Sequence, residues 1–205
     1  PQLHRHKLNL NDLPELVMTN LIESIRAEYL RYKALAEAAI DQLDEEQLSA
    51  EGPSGGNSIA VICWHIAGNL QSRFTDFLTS DGEKPWRQRE EEFQSRTVSR
   101  AELLAKWKLG WDTLLEALAG LNDDQLKNTV TIRRQPLLVH EALHRSLAHL
   151  SYHVGQIVYL AKSLRAKDWK YLSIPPGKSD AYNQDARYDK AAAQQAKLSE
   201  MTARK

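Results

Sequence analysis

Apolar residues recur at helical spacing through four long stretches of this chain, and that period constrains its fold more than any other feature. The first stretch, LPELVMTNLIESIRAEYLRYKALAEAAIDQL, carries Leu13, Leu16, Val17, Leu21, Ile25, Leu30, Leu35, Ala39 and Leu43 on that period, with Asn11 or Asp12 as cap and Pro14 in the first turn. After the loop-forming SAEGPSGGNS, the period resumes in SIAVICWHIAGNLQSRFTDFL, which Asn57 or Ser58 would start. A third helix is expected behind a capping box of Ser99 and Glu102, with Leu103, Leu104, Trp107, Trp111, Leu114, Leu115 and Leu118 as its apolar stripe. TVTI is β-prone and reads as a short extended segment before Pro136 opens a fourth helix from about Leu137 to Leu164. Four such segments predict an all-α fold, a four-helix bundle.

Between the second and third helices, TSDGEKPWRQREEEFQSR is dense in charge and broken by Asp81, Gly82 and Pro85, so an irregular excursion is expected. Beyond the fourth helix, residues 166–205 read as a packed arm followed by a fraying tail. A length of 205 residues suits one domain with a full core, the bundle spanning about 13–165.

Lys plus Arg and Asp plus Glu both total 27, so the net charge is zero, and no basic block stands out. That disfavours nucleic-acid and anionic-membrane partners, which depend on a concentrated positive field. The lone Cys63 sits in an apolar run, reads as core filler and permits no internal disulfide. No apolar run is long enough for a membrane span, and PQLHRHKLNLND lacks the apolar stretch of a secretory signal, so a cytoplasmic protein is expected.

Seven histidines occur, and the fourth helix holds two His-x-x-x-His pairs, His140 with His144 and His149 with His153. At about 100° per residue, His149 and His153 share a polar stripe with Arg145, Ser146 and Gln156, while His140 and His144 point away. Spacing alone does not choose between the pairs, although a surface role is favoured for His140 with His144. In the second helix, His65, Asn69, Ser72, Arg73 and Asp76 form a similar stripe beside Ile66, Leu70, Phe74 and Phe77. If the stripes of the two helices face one another, His65, His149 and His153 can converge on a borderline-soft metal such as zinc or nickel. On the residues alone, the ordinary reading of buried, hydrogen-bonded histidines is the favoured one.

NSIAVICWHIAGNLQSRFTDFLTSDGEKPWRQREEEF, AHLSYHVGQIVYLAK and LSIPPGKSDAYN together resemble the DinB-like superfamily of metal-binding four-helix proteins, and within it a subgroup known only as a domain of unknown function. The resemblance covers most of the chain in order. It implies a DinB/YfiT-like four-helix bundle in which His65, His149 and His153 bind a divalent metal, zinc or nickel, with iron or manganese as alternatives. It also implies a metal-dependent transferase using a small cellular thiol, or a hydrolase, acting on a small molecule, and a homodimer. A non-catalytic metal-binding or structural bundle is the alternative. A structural zinc site usually closes with four protein ligands, and only three are apparent here.

Near the three histidines, axial rise brings Asn69 to about 6 Å from His65, with Arg73 at about 12 Å, Gln156 about 4.5 Å past His153 and Arg145 about 6 Å before His149. These side chains orient ligands or bind anions but do not shuttle protons near neutral pH, so no side-chain base is expected from the second or fourth helix. Arg73, Arg87 and Arg89 could bind an anionic substrate, with a solvated charged loop as the favoured reading. Gly155 reads either as a site of close helix approach or as a tolerated packing glycine. The GKS of PPGKS is no phosphate loop, because Leu172 stands where the motif needs its first glycine.

Overall fold

A computed structural model of the chain describes residues 20–184 and 188–203. The described chain is mostly helical, in the order α1 (Leu21–Ile40), α2 (Glu45–Ser49), α3 (Ile59–Phe74), α4 (Arg89–Glu92), α5 (Arg100–Ala119), α6 (Val139–Arg165), α7 (Ser179–Asn183) and α8 (Ala191–Ala203). Between α5 and α6, β1 (Thr129–Ile132) pairs antiparallel with β2 (Gln135–Leu138), Ile132 opposite Gln135. The expected all-α class agrees with this, the hairpin being the sheet found among the described residues.

The long helices α1, α3, α5 and α6 supply one core. Tyr29 and Ile40 meet Ile66, Leu70, Trp107, Trp111, Leu143 and Ile157 there, all essentially inaccessible to water. Aligned stripes of this kind are what the 3.6-residue period buries. α3 lies along α5 so closely that a Cβ on Gly110 would stand 2.6 Å from the Ala67 Cα. α1 lies along α6, and the buried Tyr29 hydroxyl donates to the Leu143 carbonyl at 2.9 Å. Burial pushes the Cys63 thiol up, in keeping with core filler.

Helix starts follow their caps. The Ser58 hydroxyl accepts from the Val61 N–H at 3.2 Å, and Ser99 with Glu102 forms the expected capping box. α1 is capped from far away in sequence, since the N–H groups of Leu21 and Ile22 both donate to the Asp123 carboxylate at 2.9 Å. That carboxylate also complements the positive end of the helix.

Several expectations are corrected. Asn20 is extended and α1 starts at Leu21, later than Leu13; Asn11, Asp12 and Pro14 lie outside the described residues. α1 also stops at Ile40, and Leu43 belongs to the link to α2. α3 ends at Phe74, so Asp76 leaves the helical stripe with φ of 49°. Pro136 does not open a helix: it sits in β2 opposite Thr131, and α6 begins at Val139. A two-stranded ribbon has only edge strands, where the missing proline N–H is tolerated. α8 is no fraying tail, because it packs along α1 and buries Leu198 completely. Of the two readings of Gly155, close helix approach is excluded among the described residues, because a Cβ there would meet nothing within 4 Å; the close approach is at Gly110.

The excursion after α3 is also more ordered than its composition suggested. Ser72 and Arg73 donate to the Gly82 carbonyl, and the Gly82 N–H donates to Thr131 at 2.8 Å. Asp81 accepts the N–H groups of Glu83, Arg133 and Arg134 at 2.7, 2.8 and 2.7 Å. These backbone N–H bonds, led by that of Glu83, hold the Asp81 carboxyl down at about 2. The result is a wall of loop and hairpin standing beside α3 and α6.

Candidate metal centre

α3 and α6 face each other with their polar stripes inward. His65 comes from the middle of α3, and His149 and His153 from one face of α6, four residues apart. Their ligand atoms all lie within 4.8 Å of one another, so the three histidines could hold a metal ion. His65 Nε2 stands 3.2 Å from His149 Nε2. An edge of a tetrahedron with zinc–nitrogen bonds of the usual length is about 3.3 Å.

Hydrogen bonds on the far ring nitrogens set the tautomers. His65 Nδ1 lies 2.9 Å from Glu92 Oε2, and a carboxylate only accepts, so Nδ1 carries the proton and, in the neutral ring that ligates metals, Nε2 keeps its lone pair. His153 Nδ1 donates to Gln156 Oε1 at 2.7 Å. Its Nε2 is buried and has no hydrogen-bond partner. A buried, unpaired acceptor is costly unless something binds it.

The two imidazoles of α6 are kept neutral. Burial, then the neighbouring His153 and His65, then Arg87 and Arg73, lower His149 to about 3. Burial and His65 outweigh the Gln156 hydrogen bond and lower His153 to about 4. Neutral imidazole is the form that ligates metals.

Glu92 was not anticipated. It lies in α4, inside the expected irregular excursion, and is buried. Arg87 clamps it with two hydrogen bonds of 2.8 and 2.9 Å from a guanidinium almost wholly shielded from solvent. Burial pushes its carboxyl up, but the hydrogen bonds from Arg87 and His65 prevail and hold it below the usual carboxylate range. Gly68, one turn past His65, makes the room: a Cβ there would fall 2.2 Å from Glu92 Oε1. Arg87, Glu92 and His65 thus form a relay behind the imidazole. The sequence expectation concerns a base on the second or fourth helix; Glu92 comes from neither, and it grips the back of His65.

In front of the histidines lies a cavity of about 480 Å³, walled by α3, α6, the hairpin and the 81–93 segment. Asn69, Arg73, Arg145 and Gln156, the expected neighbours of the site, all line it. Gln156 is committed to His153, and Arg73 to Gly82 and Glu83. The Asn69 amide and the Arg145 guanidinium make no side-chain hydrogen bond among the described residues. Phe93 packs on His65 with ring centroids 4.6 Å apart, and Tyr152 on His153 at 4.1 Å; neither was anticipated. The favoured reading of Arg73, Arg87 and Arg89 as a solvated loop is overturned for the first two, whose side chains are 12% and 2% exposed. His140 and His144 stay apart from the centre, His140 Nδ1 bonding the Leu126 carbonyl at 3.1 Å.

A mostly helical protein with three converging histidines that could hold a metal ion is the class this fold and site define. The chain belongs to a family described as a protein of unknown function (DUF1572), whose model matches residues 17–178. The match spans α1 to α6 and so includes all three histidines. No curated protein matches the chain in sequence.

Proposed function

We propose that this protein is a DinB-like four-helix metalloprotein, a single domain whose His65, His149 and His153 hold a divalent ion, zinc or nickel rather than iron or manganese. In this reading it is a metal-dependent enzyme of the thiol-dependent transferase or hydrolase type, acting on a small molecule. The observation that carries the proposal is His153 Nε2, buried without a partner beside the facing Nε2 atoms of His65 and His149.

Three neutral ligands would leave such an ion its full double charge, a Lewis acid that lowers the pKa of a thiol or water reaching it. The protein's own part is orientation. Glu92, anchored by Arg87, fixes the His65 ring, and Gln156 fixes that of His153, as outer partners of metal-ligating histidines generally do. Phe93 and Tyr152 shield the ring faces. Asn69 is free to orient a substrate from the cavity wall. A cavity opening on a three-ligand set favours exchange of ligands, hence chemistry, over a closed structural site. Pairing of two copies through outward faces belongs to the same proposal, and sedimentation of a monomer at micromolar concentration would remove that part.

Elemental analysis of the purified protein beside a His149→Ala variant tests the reading. About one ion per wild-type chain, lost from the variant, is expected. Equal content in both proteins would eliminate the site.

A further inference from the structure

The cavity in front of the histidines has one sign of charge. Its charged lining residues other than histidine are Arg73, Arg87, Arg89, Arg133 and Arg145, and no Asp or Glu joins them. The acids that balance them stand behind the wall and are shared. Glu83 serves Arg73 at 3.1 Å, Arg133 at 2.9 Å and Arg87 at 4.0 Å, while Glu92, which also holds His65, serves Arg87 among the cavity arginines. Three guanidinium groups thus share two carboxylates, and Arg89 has only the highly exposed Glu90. The Arg145 guanidinium has no ion pair or hydrogen bond among the described residues.

The hairpin tip adds an independent observation. Arg133 and Arg134 have φ of 54° and 62°, the left-handed pair that a two-residue turn normally gives to Asn-Gly. Backbone strain of this kind persists where surrounding structure enforces it, commonly at ligand clamps. Asp81 enforces it here by accepting both N–H groups, and Arg133 is thereby held at the cavity wall.

We propose that the cavity binds a small organic anion, its carboxylate or phosphate group taken by Arg145 with Arg133 opposite, and its apolar body lying against Phe74, Phe77 and Ile132. Arg145 precedes His149 by one helical turn, about 6 Å along the axis, which places the anionic group that far from the histidines. A guanidinium fork matches both oxyanions, and the cavity volume is in the range of small-molecule sites. That this anion is the substrate rests on the function proposed above; its binding does not.

Calorimetric titration with phenylacetate, phenylphosphate and neutral 2-phenylethanol, on chelator-stripped and on zinc-loaded protein, tests the inference. At least one anion is expected to bind the stripped wild type at least tenfold more tightly than the alcohol, and the tighter anion identifies the group. Arg145→Gln, at an exposed helix position, should weaken it tenfold or more, with Arg145→Lys between the two. No anion binding to the stripped protein, or unchanged affinity in Arg145→Gln, would overturn the inference. Zinc binding with an indifferent Arg145→Gln would refute the anion site alone, whereas anion binding without zinc uptake would refute only the metal.

Discussion

Glu92 acts on the centre from behind His65, gripping Nδ1 while Arg87 grips it in turn. Outer partners of this kind raise ligand basicity and fix the ring, so Glu92→Gln should weaken zinc binding by about 10- to 100-fold in competition with a chromophoric chelator. Unchanged affinity would mean that the relay has no hold on the ligand. The other residue-scale consequence concerns protons. His149 and His153 titrate at about 3 and about 4 in the fold, below the ordinary 6.5 that the unfolded chain retains. Between roughly pH 4 and 6.5 the unfolded state therefore binds more protons, and stability falls as pH drops through that window. The thermal midpoint of stripped protein should be lower at pH 5 than at pH 7, and that difference should shrink in a His149→Ala, His153→Ala double variant. An equal difference in both proteins would assign the pH effect elsewhere.

At the scale of elements, two glycines in helices behave oppositely. Alanine at Gly110 would press on the α3 backbone at Ala67, an overpacking cost of about 1–3 kcal/mol that helix propensity does not fully offset. Alanine at Gly155 would meet nothing and should stabilise the chain by about 1 kcal/mol. Denaturant midpoints of the two variants should move in opposite directions, and a shift the same way in both would contradict this packing. The contrast also shows what local sequence carries. Ser58, Ser99 with Glu102, and TVTI announce their elements because caps and β-branching act within a few residues. Pro136 misled because a proline suits both a first helical turn and an edge strand, and Gly155 stayed open between two readings because a helical glycine is silent about its neighbour. The three histidines were legible from the helical period and the family resemblance. Glu92 was not, since nothing in REEEF separates it from Glu90 and Glu91; the tertiary fit over Gly68 does.

For the whole molecule, four long helices position the centre while the less regular parts complete it. The 79–96 excursion supplies Arg87, Glu92 and Phe93, and the hairpin supplies Ile132 and Arg133. Zero net charge thus conceals a cavity of one sign, because the compensating carboxylates stand on its outer side. Among the described residues no helix is long and apolar enough to cross a membrane, and α8 closes the far side of α1. The central claim, that His65, His149 and His153 form one metal site, is tested most directly by anomalous diffraction at the zinc edge from crystals of zinc-loaded protein. The account predicts a single strong peak about 2.0–2.1 Å from the Nε2 atoms of all three histidines. A peak at other residues, or none between α3 and α6, would contradict it.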